Sequence, residues 1–95
     1  MSADDTARRL VDERLRAFFD EDGERGGVLT ATIRAFADAD LKVKVAAERL
    51  NVHPNTARYR LGRVEELTGR NPRHFRDMLD LVVAIALDDT GRGSS

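Results

Sequence analysis

Residues 52–69 read VHPNTARYRLGRVEELTG, and within them Arg58, Arg60 and Arg63 lie among apolar residues at helical spacing. Guanidinium groups are planar, permanently charged forks that match phosphate oxygens and the acceptor edges of bases. Asn55, Thr56 and Tyr59 add amide, hydroxyl and phenol groups that both donate and accept hydrogen bonds. On a helical wheel of about 100° per residue, Ala57, Leu61 and Val64 fall within about 60° of one another and define a core face. Asn55, Tyr59, Gly62 and Arg63 fall on the opposite side, Thr56 sits near its edge, and Arg58 and Arg60 flank it. An exposed helix face with polar tips, an aromatic ring and flanking arginines suits the major groove of duplex DNA. The expected roles are base-edge reading by Asn55, Thr56 and Tyr59, with phosphate anchoring by Arg58, Arg60 and Arg63. Lys42 and Lys44 are peripheral contributors.

Each of these residues also has a purely structural use. His53 precedes Pro54 and can cap the helix or touch DNA. Tyr59 can pack across the preceding turn, and Asn55 and Thr56 can merely complete the first turn. Arg63 can pair with Glu65 or Glu66. His74 reads as a surface residue at the start of the last helix, and two histidines without any cysteine make no metal site.

The net charge of −1 conceals a strong asymmetry. Residues 1–41 hold six basic and ten acidic side chains, residues 42–76 nine and three, and residues 77–95 one and four. A basic middle between acidic flanks is the local footprint that a polyanionic partner needs. The bland reading of the same pattern is a solvated, charged surface.

The elements that must position these groups are helical throughout. With 95 residues and 41% hydrophobic content, the chain fits one small domain with a thin core. The first helix, over about 4–21, carries Leu10, Val11, Leu15, Phe18 and Phe19 on one stripe and ends in DEDGERGG. A second, over about 27–38, carries Leu29, Ile33, Phe36 and Ala37. Asp40 is placed to cap a third helix over about 42–50, with Val43, Ala46, Ala47 and Leu50. Asn51 tolerates the left-handed conformation of a tight helix exit, and Leu50 and Val52 are expected to bury the corner. Pro54 opens a fourth helix running to Leu67 or Thr68, and Gly69 stops it. Asn71-Pro72 signals the start of a last helix reaching about Leu87. Two short helices joined by about three residues, with Ala47 four positions before the turn, describe a helix-turn-helix.

The stretch VAAERLNVHPNTARYRLGRVEELTG resembles the C-terminal helix-turn-helix of the purine catabolism regulator (PucR) and sugar diacid regulator (CdaR) families, and more distantly the Fis-type motif. The likeness extends upstream through FFDEDGERGGVLTATIRAF and downstream through DMLDLVVAIAL, covering most of residues 15–87. It implies the DNA-binding output end of a transcriptional regulator, with effector sensing outside this chain. Three positions depart from the family pattern. Pro54 and Gly62 stand where basic residues are usual, and Lys44 where a small capping hydroxyl is usual. The first two remove cationic contacts, and Gly62 also costs roughly 1 kcal/mol of helix propensity against alanine.

The last helix has more apolar surface than one face needs. Phe75, Met78, Leu79, Val82 and Ala86 suffice for a buried face, and Leu81, Val83, Ile85 and Leu87 widen it. Either the first helix wraps over the excess or a second subunit does, and a homodimer suits a motif that commonly reads two half-sites. Catalysis is not implied: serine occurs only at Ser2, Ser94 and Ser95, and there is no cysteine nucleophile or glycine-rich phosphate loop. Neither cofactor nor metal is implied. The N-terminus lacks the apolar run of a signal peptide, and no stretch approaches the roughly 18 apolar residues of a membrane span, so a cytoplasmic location is expected.

The reading is an all-α fold of about five helices with a central helix-turn-helix. Residues 1–22 form a leading amphipathic helix, 23–89 the DNA-binding domain and 90–95 a disordered tail. Its function is sequence-specific binding of double-stranded DNA. The alternative is a helical protein-interaction and dimerisation module that has lost tight DNA binding.

Overall fold

The computed structural model describes residues 13–93. Among them the regular structure is entirely helical: α1 (Glu13–Glu24), α2 (Val28–Asp38), α3 (Val43–Leu50), α4 (Pro54–Thr68) and α5 (Phe75–Gly93). Leu10, Val11 and the rest of the expected first helix before Glu13 lie outside the described residues.

One core gathers Leu15, Phe18 and Phe19 from α1, Ile33 and Phe36 from α2, and Ala46 from α3. Leu61 and Val64 of α4 and Met78, Leu81, Ala84 and Ile85 of α5 complete it. The rings of Phe18 and Phe19 meet edge to face at 5.4 Å. The leading helix therefore shares its core with the helix-turn-helix. α2 is the hub: it packs against each of the other four helices.

The α1–α2 connection is set by a buried carboxylate. Asp22 is 4% exposed, and its two oxygens accept from the N–H groups of Leu29 and Thr30, each at 2.9 Å. Gly27, the residue before α2, has φ 70° and no capping side chain, so Asp22 supplies the cap from the preceding helix. Gly26 at φ 87° completes a reversal that a side chain would strain. Asp22→Ala is expected to lower the unfolding free energy by about 2–3 kcal/mol, because it leaves two charge-assisted hydrogen bonds unmade. Urea denaturation measures this, and Asp22→Asn should fall between the wild type and the alanine variant.

Four expectations need correction. α1 continues to Glu24, three residues past the expected end at 21, because the positive-φ turn begins only at Gly26. Asp40 does not cap α3: it is itself left-handed (φ 53°), as is Leu41 (φ 62°). Lys42 occupies the cap position and makes no side-chain cap bond. Lys44, where a capping hydroxyl is usual in the family, is thus already inside the first turn. The last helix starts at Phe75, since Asn71 and Pro72 form a turn in which the Asn71 side chain accepts from the Arg73 N–H at 3.0 Å. Its far end passes Leu87 and reaches Gly93, into the segment expected as a tail. An ion pair between Arg34 and Asp89 ties that end to α2.

The fourth correction concerns which side of α5 is buried. Met78, Leu81, Ala84 and Ile85 face the core, while Phe75, Leu79, Val82 and Ala86 are exposed. Of the residues expected on the buried face only Met78 is buried; Leu81 and Ile85, expected to widen it, are buried instead, while Val83 is 38% exposed.

Candidate nucleic-acid interface

α3 exits through Asn51, whose left-handed backbone (φ 59°, ψ 45°) turns the chain sharply. The Val52 N–H closes that turn on the Ala47 carbonyl at 3.0 Å, and the Asn51 N–H bonds to Glu48 at 3.1 Å. Ala46 and Ala47 are both 1% exposed, and their small side chains let α3 and α4 cross closely. Leu50 and Val52, expected to bury the corner, are only half-buried.

His53 caps α4: its Nδ1 accepts from the Asn55 N–H at 3.0 Å, with Pro54 in the first helical position. The capping role therefore holds, and Nε2 is the ring atom left for another partner. Ala57, Leu61 and Val64 are buried, as the wheel requires, so the opposite face points outward. On it Tyr59 is 70% exposed and does not pack across the turn. Asn55 is exposed, and its side-chain oxygen accepts from the Arg58 guanidinium at 2.9 Å. That pair orders both side chains on the first turns of α4, the part of a groove-binding helix that reaches base edges.

Arg63 pairs with Glu66 at 2.6 Å on a partly exposed surface. Exposed pairs of this kind contribute little stability, so the guanidinium can exchange its carboxylate for a phosphate at small cost. Thr56, Arg60 and Arg63 are half-buried, not free, because they line a groove between α4 and the α1–α2 turn. Lys42 and Lys44 are exposed at the start of α3. α4 thus brings Asn55, Arg58, Tyr59 and the edge residues onto one surface, and the two lysines stand apart on the neighbouring helix.

Two arginines that the linear pattern did not single out belong to this surroundings. Arg25, on the α1–α2 turn, lines the same groove as Tyr59, Arg60 and Arg63 and makes a solvent-exposed pair with Glu21 at 3.3 Å. Arg14 of α1 reaches the end of α4, donating to the carbonyls of Leu67 (3.0 Å) and Glu66 (2.9 Å). Both lie more than 30 residues from the groups they approach, beyond any helical or turn period. Among the described residues no group of three or more His, Cys, Asp or Glu could hold a metal ion.

The family model of the PucR C-terminal helix-turn-helix domain matches residues 29–87, which hold α3, the turn and α4 entire. The chain belongs to that family. Among curated relatives, an uncharacterized protein of Mycobacterium tuberculosis is 43% identical over 61 residues, covering 64% of this chain and 15% of the relative. An uncharacterized Bacillus subtilis protein, YsfB, is 42% identical over 57 residues, covering 60% of this chain and 16% of its own. The carbohydrate diacid regulator of Escherichia coli is 36% identical over 66 residues, 70% of this chain and 17% of that protein. The chain therefore spans only about a sixth of the length of these relatives. No solved structure is significantly similar. The matched region begins at Leu29, so α1, which supplies Leu15, Phe18 and Phe19 to the core, lies outside it. Among the described residues no helix is long and apolar enough to cross a membrane.

Proposed function

We propose that this PucR-family domain binds duplex DNA sequence-specifically, as the output end of a cytoplasmic transcriptional regulator that works as a homodimer. The observation that carries it is the outward face of α4, where Asn55 and the 70%-exposed Tyr59 stand between arginines on a helix-turn-helix. In this reading Asn55, Thr56 and Tyr59 read base edges, and Arg58, Arg60 and Arg63 anchor phosphates. His53 contributes through Nε2, and Lys42 and Lys44 add contacts at the rim. The likeness to a carbohydrate diacid regulator supports a regulatory role, with effector sensing supplied by parts of a longer polypeptide. The chain has no part in catalysis on this reading.

The test is anisotropy of a labelled random-sequence duplex titrated with the 95-residue chain at several salt concentrations. Each phosphate contact should steepen the dependence of log affinity on log salt by about 0.9. The Arg58→Ala/Arg60→Ala variant is expected to flatten that slope by roughly 1.8 and to weaken binding at low salt by an order of magnitude or more. Folded protein that fails to bind at low salt would reject the proposal in favour of a protein-interaction module. Slope retained in the double variant would move the phosphate contacts off α4.

A further inference from the structure

Arg25, Arg60 and Arg63 come from two distant parts of the chain and line one groove of about 440 Å³. Phe18, Leu29 and Leu67 give the groove apolar surface between α4 and the α1–α2 turn. At about 100° per residue, Thr56, Arg60, Arg63 and Leu67 turn roughly 100° away from the buried Ala57, Leu61 and Val64. The groove therefore lies along one flank of the face that carries Asn55 and Tyr59. A helix about 10–12 Å across fills a major groove about 12 Å wide, so a sugar-phosphate strand must run along each flank. The strand on this flank meets the groove, and the α1–α2 turn stands on its far side.

The carboxylates around the groove do not close it to an anion. Asp22 is buried, and both its oxygens are engaged by the N–H groups of Leu29 and Thr30 at the positive end of α2. Glu21 and Glu66 are more than half exposed and hold Arg25 and Arg63 in surface ion pairs. Pairs of that kind are worth little, so a phosphate can take the place of either carboxylate. Arg60 has no ion pair among the described residues. The Arg25 side chain is 74% exposed, and the turn that carries it is held by Asp22 and by backbone hydrogen bonds. Its guanidinium is therefore available to a ligand without cost to the fold.

We propose that Arg25 is a phosphate anchor of this domain, contacting the DNA strand that passes along the Arg60 and Arg63 side of α4. The inference rests on the DNA-binding reading above and extends its contact surface beyond the helix-turn-helix to the α1–α2 turn. Arg25 precedes the stretch that matches the family model, which begins at Leu29, so the family pattern does not include it. A phosphate contact carries no sequence information of its own, and this one would fix how α4 sits in the groove.

The test is anisotropy of random-sequence duplex with the 95-residue chain across a salt series. Arg25→Ala is expected to flatten the slope of log affinity against log salt by about 0.9, and to weaken binding roughly five- to tenfold at about 0.1 M salt. Arg25→Lys keeps the charge and should keep most of the slope. Glu21→Gln removes the competing carboxylate, so it should tighten binding by roughly two- to threefold. Arg76→Ala removes an exposed charge on α5 that does not line the groove, and it should leave the slope unchanged. All four variants should keep the wild-type urea midpoint, which separates a lost contact from a lost fold. A wild-type slope in Arg25→Ala would overturn the proposal and leave the DNA-binding reading standing. Equal flattening by Arg76→Ala would reduce the effect to net charge and overturn it as well. A loss that differs between A·T-rich and G·C-rich duplexes would make Arg25 a base reader and overturn the phosphate assignment. Wild-type chain that binds no duplex at low salt would reject both readings together.

Discussion

Leu61→Ala is expected to destabilise the domain by about 2–5 kcal/mol, whereas alanine at the next residue, Gly62, is expected to stabilise it by about 1 kcal/mol. The two positions lie about 100° apart on α4, and that angle separates core from solvent. Leu61 is 2% exposed and packs within the shared core, so truncation removes buried apolar surface and leaves a cavity that α1 and α2 can only partly close. A Cβ built on Gly62 meets nothing within 4 Å, and the residue has ordinary helical backbone, so alanine adds helix propensity without a clash. A domain of this size has a total stability of about 5–15 kcal/mol, so the loss at Leu61 is a large share of it. Urea denaturation of both variants gives the two signs. In the DNA assay Leu61→Ala should lose binding in proportion to its unfolded fraction, while Gly62→Ala should bind as the wild type does. Destabilisation by Gly62→Ala would mean that the outward face of α4 is covered, and the proposed DNA-reading surface with it.

The opposite signs at Leu61 and Gly62 follow from a pattern written in the sequence, and α4 is where most was legible. Its boundaries, its cap at His53, its first-turn Pro54 and the stop at Gly69 are all local signals, set by neighbours within one turn. The turn at Asn51 was legible for the same reason, because few other residues accept its φ of 59°. α5 was misread because periodicity gives the angles between apolar residues and not their absolute orientation. With apolar residues on most sides of one helix, the choice between Phe75 and Leu81 falls to how α5 packs on α2, which is not a local property. Asp40 has the chemistry of a cap, yet the turn from α2 to α3 needs left-handed backbone at residues 40 and 41, and this takes Asp40 out of reach. At the candidate interface, the residues on α4 were readable as a wheel, but Arg25 beside them was not. Its place in the groove depends on how α1 and α2 pack, which only the assembled core determines.

Gly69→Ala is expected to destabilise the domain by about 2–3 kcal/mol, with part of that loss vanishing when Arg14 is also replaced by alanine. Gly69 ends α4 at φ 72°, where an L side chain costs about 1–2 kcal/mol by itself. The space is also taken: a Cβ there would lie 2.6 Å from a terminal nitrogen of Arg14. That guanidinium donates to the carbonyls of Leu67 and Glu66, two of the acceptors that the last turn of a helix leaves without partners. A methyl group at residue 69 would push the Arg14 side chain off those carbonyls. The single variant Gly69→Ala thus loses backbone freedom and the clamp together, whereas Arg14→Ala loses only the clamp, about 1 kcal/mol at this exposed position. In the double variant the clamp is already gone, so the two losses should sum to about 1 kcal/mol more than the double variant shows. Strict additivity in urea denaturation would mean that the contact carries no energy. The clamp has a bearing on the proposed function as well, because Arg63 sits one turn before the carbonyls it secures and takes its position from that part of α4. Releasing it lets the end of α4 fray and loosens Arg63, one of the proposed phosphate anchors. Folded Arg14→Ala is therefore expected to bind duplex DNA a few-fold more weakly, with a salt slope reduced by up to about 0.9. A loss of affinity with unchanged slope would place the effect of Arg14 on the proposed base-reading end of α4 and not on Arg63.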